Sequence, residues 1–556
     1  GLAGLFIGAT HTHAGPGQFL GTDFYNRFAS NRSGFDPAFT QFLVDQITGA
    51  VITAVESREP ARLALGRTEV WGLTRNRSLA PYVANATVMD KRTAPQRKFV
   101  AINPALHLLR VDRAGGAEQG PLGAMVVFSV HGTGVPQSSD VYNADVWAYV
   151  VGELGHRIRV RHGGDIVVGA VQGTHGDVAP AIRPGAAGAL EAERVGRGIG
   201  AQAARLFEDL EGRLSANVVL GTGLREVNLD ESSKFAGIEL PRRPAVGAAL
   251  VAGATENVTP VIHRLPPFRA GSPRRRATGP HGPKWVLGSR WLQPLVLPTR
   301  GFPRILPVQF IRINDVGIVG LGFEVTTQAG RAIAGRVAQA VAQSGIDEIV
   351  VSSVANEYSG YVTSRDEYGL QYYEGGHTLY GAATAAFLGA HARALATDVA
   401  RDGTCLQGGG RRNFDLKVHR YLPEAGGGRV VRSFLPGARF VDPDPVTDGY
   451  WEVHFVDVAP GDLVWHRPMA RVEKEEAASR WVGAERDGRA VNDQGWDVEV
   501  SHVGEVGRRA GRGSDAVGAH EYLLRWWNPS FDGARRHRFV LVGHGDRPEL
   551  ASPPFD

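Results

Sequence analysis

Val319-Gly320-Leu321-Gly322-Phe323-Glu324-Val325-Thr326-Thr327 is an apolar run that stops on a carboxylate, immediately before a helical pattern over Gln328–Ala342. A buried strand that ends on a polar residue and leads into a helix is the repeating unit of α/β folds. The same form recurs upstream, where Val126-Val127-Phe128-Ser129-Val130-His131-Gly132 ends on a histidine. A third case opens the chain: Gly8-Ala9-Thr10-His11-Thr12-His13-Ala14-Gly15-Pro16-Gly17 places a His-X-His pair after a short apolar run. In a strand, residues two apart share a face at roughly 6 to 7 Å, so both imidazoles would enter one pocket. A strand-end pair with ordinary hydrogen bonds reads the same way, so the pair alone assigns nothing. Strand ends are nevertheless where ligands collect in such sheets, because the loops there are free to present side chains.

Further β-rich runs lie at Arg62–Trp71, Asp165–Val171, Asn217–Val227, Pro307–Asn314 and Glu348–Val354, with helical patterns at Asp145–Arg157, Leu190–Leu210 and Leu379–Leu395. This alternation predicts an α/β (α+β) domain over residues 1–407 with a central mixed sheet. Asp36-Pro37 reads as an N-cap followed by proline at the first helical position, and Phe39, Phe42, Leu43, Ile47, Ala50, Val51 and Ala54 recur at helical spacing, which predicts a core-facing stripe. Gly271–Trp285 is rich in turn formers and basic residues and reads as a solvated loop. After Gly408-Gly409-Gly410-Arg411-Arg412 the composition changes. Residues 413–556 alternate apolar and polar positions at Trp451, Val453 and Phe455, with further strands predicted at Leu463–Trp465, Trp496–Val500, Tyr522–Trp527 and Phe539–Val542. That spacing predicts an all-β, immunoglobulin-like sandwich.

The chain of 556 residues carries 61 Lys+Arg against 57 Asp+Glu, a net charge of +4 that gives no reason to expect nucleic acid. The single cysteine, Cys405, excludes an intrachain disulfide and a cysteine-rich zinc knuckle, so a metal would have to be held by His, carboxylate or Tyr. The longest uninterrupted apolar stretches fall short of a membrane span, so no transmembrane segment is expected. No signal peptide is readable at the start.

Taken in order, the motifs His11-Thr12-His13-Ala14-Gly15-Pro16-Gly17, Asn76-Arg77-Ser78, His131 with Ser139-Asp140 and Asp145, Gly176-Asp177-Val178-Ala179-Pro180, Gly322-Phe323-Glu324-Val325-Thr326-Thr327, and Tyr361-Val362-Thr363 with Tyr373-Glu374 resemble those of the neutral/alkaline, non-lysosomal ceramidases. The resemblance spans nearly the whole chain. It implies a zinc amidohydrolase that cleaves N-acylsphingosine (ceramide) to sphingosine and a fatty acid, with one Zn2+ per chain. By position, the ligands it implies are His11, His131, Glu324 and Tyr361. His13, Arg77 and Tyr373 would line the pocket, His13 for proton transfer and the other two as donors to the developing oxyanion. It further implies a secreted or periplasmic location and peripheral contact with a membrane surface.

The chain also departs from that pattern. Ala179 stands where the family motif has serine, which leaves metal-activated water or a silent protein. The loop after His131 differs, which puts head-group specificity in question and, with Ala179, admits another N-acyl substrate; the missing serine also admits a catalytically silent lipid-binding homologue. The family's strand-helix segment before the His-X-His run is absent, so truncation at the N-terminus is expected.

Overall fold

The computed structural model describes residues 2–408 apart from 116–119, 136–141, 165 and 184–188. Beyond them it describes 412, 414–421, 426, 430–443, 449–464, 467–486, 488–495, 497–506, 518–527, 529 and 536–556. Ser139, Asp140, Trp465 and Trp496, and most of the glycine-rich stretch at 408–412, therefore lie outside the described residues.

Two mixed sheets, rather than one, form the α/β part. The first contains β1 (Ala61–Glu69), β2 (Ala105–Arg113), β3 (Pro121–Phe128) and β4 (Val167–Gln172) in that order; β1–β2 and β2–β3 are antiparallel and β3–β4 parallel. The second contains β5 (Leu220–Asn228), β6 (Ile305–Ile313), β7 (Val316–Leu321), β8 (Glu348–Ser352) and β9 (Thr404–Gln407). Its spatial order is β8-β7-β6-β5-β9, parallel at β7–β8 and β5–β9 and antiparallel between.

The period of two along each strand sorts the side chains into layers. Leu106, Leu108, Val126 and Phe128 face α2 (Val146–His162) and α3 (Ala189–Asp209) through Val150, Leu154, Val195 and Phe207. Leu306, Val308, Phe310 and Val319 face α4 (Thr327–Val341) and α5 (Thr384–Asp402). The opposite faces, carrying Val127, Val171, Val316, Ile318 and Val350, pack on each other. The result is a helix–sheet–sheet–helix sandwich with three apolar seams.

The capping expected at Asp36 is present: its carboxylate accepts from Ala38 N at 3.0 Å and Phe39 N at 3.1 Å, opening α1 (Pro37–Glu56). The expected core stripe is not. No residue of α1 is buried, and Val44, Ile47, Val51, Ile52 and Val55 are all exposed. An apolar period states that a face can be covered, not which segment covers it. Among the described residues, α1 is the one helix long and apolar enough, by length and composition alone, to cross a membrane; uninterrupted runs pass over it because Thr, Gln, Asp and Gly residues break its apolar positions. The loop at 271–285 is irregular as expected, but Lys284 within it is fully buried, not solvated. Its ammonium donates to the carbonyls of Ala245, Gly376 and Thr378 at 3.0, 3.2 and 2.7 Å, and burial pushes its pKa down to about 7.

The C-terminal part has two antiparallel sheets around one core that includes Val453, Phe455, Val472, Tyr522, Leu524, Trp526 and Phe539. Tyr450–Asp457, His520–Trp527 and His537–Leu541 are strands close to the expected positions, whereas Leu463 follows a 3-10 turn rather than opening a strand. Arg486 from this part donates from Nη2 to both carboxylate oxygens of Glu193 on α3, each at 2.7 Å.

Candidate metal centre

The candidate residues converge where the parallel pairs β3–β4 and β7–β8 end. His131 lies three residues beyond β3 and is fully buried. Its Nδ1 bonds the Val178 carbonyl at 3.1 Å, which turns Nε2 towards Glu324 Oε2 at 2.8 Å. Burial first, then the nearby Arg77 charge, pushes the His131 pKa down to about 4, so the ring is neutral and its Nε2 lone pair is available.

Glu324 and Tyr361 begin two short segments that pair in parallel, Glu324 opposite Tyr361 and Val325 opposite Val362. Burial would raise the Glu324 pKa, but His11, by its charge and its hydrogen bond, leads the effects that outweigh it and hold the group well below the usual carboxylate range. One oxygen faces the imidazoles; the other accepts from Tyr358 Oη at 2.6 Å. Tyr361 Oη accepts from Arg77 Nη2 at 2.8 Å and lies 3.3 Å from His131 Nε2.

His11 and His13 reach the same place by a route the sequence did not predict. Their segment is held by isolated bridges, Gly8 to Ala355 and Thr12 to Gly132, not by a continuous strand. His11 takes a left-handed backbone with φ of 60°, a conformation uncommon for residues with a Cβ and frequent at functional sites. The two Nε2 atoms come within 3.2 Å, and His11 Nε2 is 3.2 Å from Glu324 Oε2. Gly132 permits this approach, since a Cβ there would sit 2.7 Å from the His11 carbonyl oxygen. His13 keeps an exposed edge at the mouth of the site. Its partial enclosure, with His11 and His131 beside it, pushes its pKa below the ordinary histidine range, and solvent at the open edge moderates the push.

Arg77 is buried and ties the site together: Nε donates to Glu374 at 3.0 Å, and Nη2 to the Gly176 carbonyl at 2.9 Å as well as to Tyr361. Burial opposes its charge, but Tyr361, Glu256 and Glu374 more than offset that and keep it protonated. Tyr373 is half-buried, with Arg77 5.5 Å from its ring centre and the Tyr361 ring 5.6 Å away. Burial raises its pKa above the ordinary phenol value, so it is a neutral hydroxyl. Asp145 pins the loop after His131 by accepting from Gly134 N at 2.8 Å and Val135 N at 2.7 Å. Ala179 is fully buried opposite Arg75 in a short ladder, where a methyl group supplies neither nucleophile nor acid.

Sequence reasoning missed two participants. Tyr358 had no motif to mark it. His175 sits in the loop after β4, immediately before the Gly176-Asp177 motif, and is buried against the same carboxylate: His11, His131, His175 and Glu324 place their donor atoms within 4.8 Å of one another. Gly176 makes this possible, because a Cβ there would meet the Glu324 carbonyl oxygen at 2.9 Å. Three imidazoles and one carboxylate form the nitrogen-and-oxygen donor set that suits zinc, and within this cluster His175 Nε2 has no hydrogen-bond partner among the described residues. The residues present therefore fit a divalent metal.

Comparison with known proteins bears on the same positions. The neutral ceramidase of Pseudomonas aeruginosa is 28% identical over 407 residues, covering 68% of this chain and 56% of that protein. That of Mycobacterium tuberculosis is 29% identical over 406 residues, covering 67% and 60%. The chain thus spans less than two thirds of the length of these curated relatives. Among solved structures, one titled "Ceramidase complexed with C2" matches 99% of this chain and 85% of its own with a TM-score of 0.72 at 22% identity. A neutral ceramidase from Pseudomonas aeruginosa matches the same shares with a TM-score of 0.68 at 21% identity. These two likenesses establish the fold. The family profile described as neutral/alkaline non-lysosomal ceramidase, N-terminal, matches residues 3–193 and 244–389, which is more than half of the chain and includes every candidate side chain named above but none of the β-rich tail. Since the stretches it matches are those that bring His11, Arg77, His131, Glu324, Tyr361 and Tyr373 into one buried cluster, the chain belongs to the neutral/alkaline non-lysosomal ceramidase family.

Proposed function

We propose that this protein is a zinc-dependent amidohydrolase that cleaves the amide of N-acylsphingosine, adding water across the C–N bond to release a fatty acid and the sphingoid amine. The observation that carries this reading is the buried set of His11, His131 and Glu324 beside the fixed charge of Arg77. His11, His131 and Glu324 would hold the metal, with Tyr361 at its edge. When bound, a divalent zinc ion supplies Lewis acidity to the carbonyl and lowers the pKa of a water towards about 7.

The chain's own side chains supply the remainder. His13, neutral at neutral pH and at the open side of the cluster, accepts a proton from the attacking water and returns it to the leaving nitrogen. Tyr373 and Arg77 are placed to donate to the oxygen on which negative charge develops; Arg77 also fixes the Tyr361 hydroxyl. Serine is not needed at position 179 in this scheme. Peripheral contact with a lipid surface belongs to the same reading, since N-acylsphingosine is a membrane lipid, and a location outside the cytoplasm follows from the family resemblance alone.

The test is sphingosine release from N-acylsphingosine by purified protein, before and after zinc removal by a chelator. Turnover that disappears on chelation and returns with zinc is expected, with His13→Ala slowed about 100-fold or more while retaining its zinc. Ala179→Ser should change the rate without being required for it. Zinc-loaded protein that turns over short N-acyl amino compounds but not N-acylsphingosine would move the substrate. The absence of turnover on any N-acyl amide would remove the enzymatic reading and leave a lipid-binding homologue.

A further inference from the structure

We propose that Glu256 is a specificity-determining residue, whose carboxylate accepts a hydrogen bond from a hydroxyl on the amine half of the substrate. This rests on the amide-hydrolysis reading above and deepens it by naming what the site recognises beside the bond that breaks.

The carboxylate of Glu256 is enclosed yet unmatched. Both oxygens are buried without a hydrogen-bond partner, and no other carboxylate among the described residues leaves even one buried oxygen in that state. Two guanidinium groups lie near it, Arg75 Nη2 at 3.6 Å and Arg77 Nη1 at 3.8 Å. At these distances they balance its charge without bonding it, since a bonded Arg–carboxylate pair closes to about 2.7–2.9 Å. An ionised carboxylate is acceptor-only, so Glu256 keeps its accepting capacity for a donor from outside the chain.

The fold holds this acceptor beside the reacting centre. Gly247 N donates to Gly376 O at 2.9 Å, which seats the short helix Ala248–Val251 against the helix that carries Tyr373 and Glu374. The turn that follows is closed by Asn257 N to Ala254 O and Thr259 N to Ala252 O, both at 2.9 Å. Thr255 Oγ1 then donates to the Arg77 carbonyl at 2.8 Å, so the segment bearing Glu256 is tied to the backbone of Arg77 itself.

Nε and Nη2 of Arg77 are engaged by Glu374, Gly176 and Tyr361. Nη1 makes no hydrogen bond among the described residues and is the nitrogen that faces Glu256. A donor suited to a substrate carbonyl and an open acceptor thus stand side by side. N-acylsphingosine presents the matching pair: its amide carbonyl, and hydroxyls on the two carbons that flank the nitrogen-bearing carbon. A plain hydrocarbon acyl chain offers no such donor, which assigns the amine half to Glu256.

Steady-state kinetics of the zinc-loaded protein test this with a short-chain N-acylsphingosine and its 1-deoxy and 3-deoxy counterparts. A site that binds a substrate hydroxyl rejects the analogue lacking it, so wild-type kcat/KM is expected to fall at least about tenfold for one counterpart. Glu256→Met has no comparable acceptor, and its loss of kcat/KM on the diol should exceed its loss on that counterpart at least about tenfold. Glu256→Gln keeps the shape and an acceptor without the charge, and should retain a weakened preference. Equal losses on all three substrates would assign Glu256 to supporting Arg77 and overturn the inference, while leaving amide hydrolysis intact. A wild-type protein that hydrolyses all three within about twofold of one another would overturn it as well, and that outcome needs no variant to fold. A wild-type protein inactive on all three removes the hydrolytic reading and this inference with it.

Discussion

Glu324 and Tyr361 stand opposite each other in a parallel ladder only two residues long, although α4 and β8 separate them in the chain. The backbone pairing fixes both side chains before either meets a ligand. Because it is the main chain that sets their spacing, the supporting side chains can be removed singly and their effects read separately.

Tyr358 holds the oxygen of Glu324 that faces away from the imidazoles, at 2.6 Å. Partners of this kind orient a ligand and fix its free rotation. Tyr358→Phe should weaken zinc binding about tenfold with little change in thermal stability of the metal-free protein, as measured by chelator competition and melting.

Arg77 makes three directed hydrogen bonds from one guanidinium, to Glu374, Gly176 and Tyr361. A lysine ammonium keeps the charge but not the planar fork. Arg77→Lys should lower kcat by about 100-fold with zinc content unchanged by atomic absorption. A loss of zinc in step with the loss of rate would instead assign Arg77 to holding the ligands.

Glu367 is buried behind the site, where it accepts from Thr326 Oγ1 at 2.6 Å, Ser364 N at 2.9 Å and Asn85 Nδ2 at 3.1 Å. Burial first, then the Asp177 carboxylate, pushes its pKa up from 4.5 to about 8. The folded protein then binds more protons than the unfolded chain between those values, so this stabilising contribution is complete below about pH 4.5 and is lost as the pH rises through 8. Glu367→Gln, neutral throughout, should flatten the decline of stability over this window by an amount on the order of 3 kcal/mol. Urea unfolding of both proteins at pH 5 and pH 8 measures the difference, and parallel profiles would contradict the shift.

Lys284 joins three carbonyls from two separate segments, two of them on the short helix Tyr373–His377 and its end. Lys284→Met fills much of the same volume but removes the ammonium that the three carbonyls share, although Gly376 O also accepts from Gly247 N at 2.9 Å and Thr378 O from Gly381 N at 3.4 Å. A loss of at least about 2 kcal/mol in urea unfolding is expected.

The sequence made some of this legible and not the rest, for identifiable reasons. Glu324 and His131 were readable because an apolar run that stops on one polar residue marks a strand end, and strand ends of parallel pairs point to one edge of a sheet. His11 and His13 were expected on a regular strand; they meet instead because His11 adopts a left-handed backbone, which no side-chain pattern encodes. His175 was invisible because a lone histidine in a loop has no periodicity, and its place depends on Gly176 letting the loop reach Glu324. The apolar stripe of α1 predicted a helix with the right start and cap, but whether a stripe is covered depends on long-range packing that local spacing does not contain. Lys284 was misplaced for the opposite reason, since a basic run rich in turn formers reads as exposed although one of its members is wholly enclosed.

The site draws His131 and His175 from the ends of one sheet and Glu324 from the end of the other, with the His11 segment bridging from Ala355 to Gly132 between them. An ion seated there would act as a rivet through both halves of the sandwich. Its departure would then be felt as a loosening along the whole apolar seam where the sheets meet, far from any residue that touches substrate.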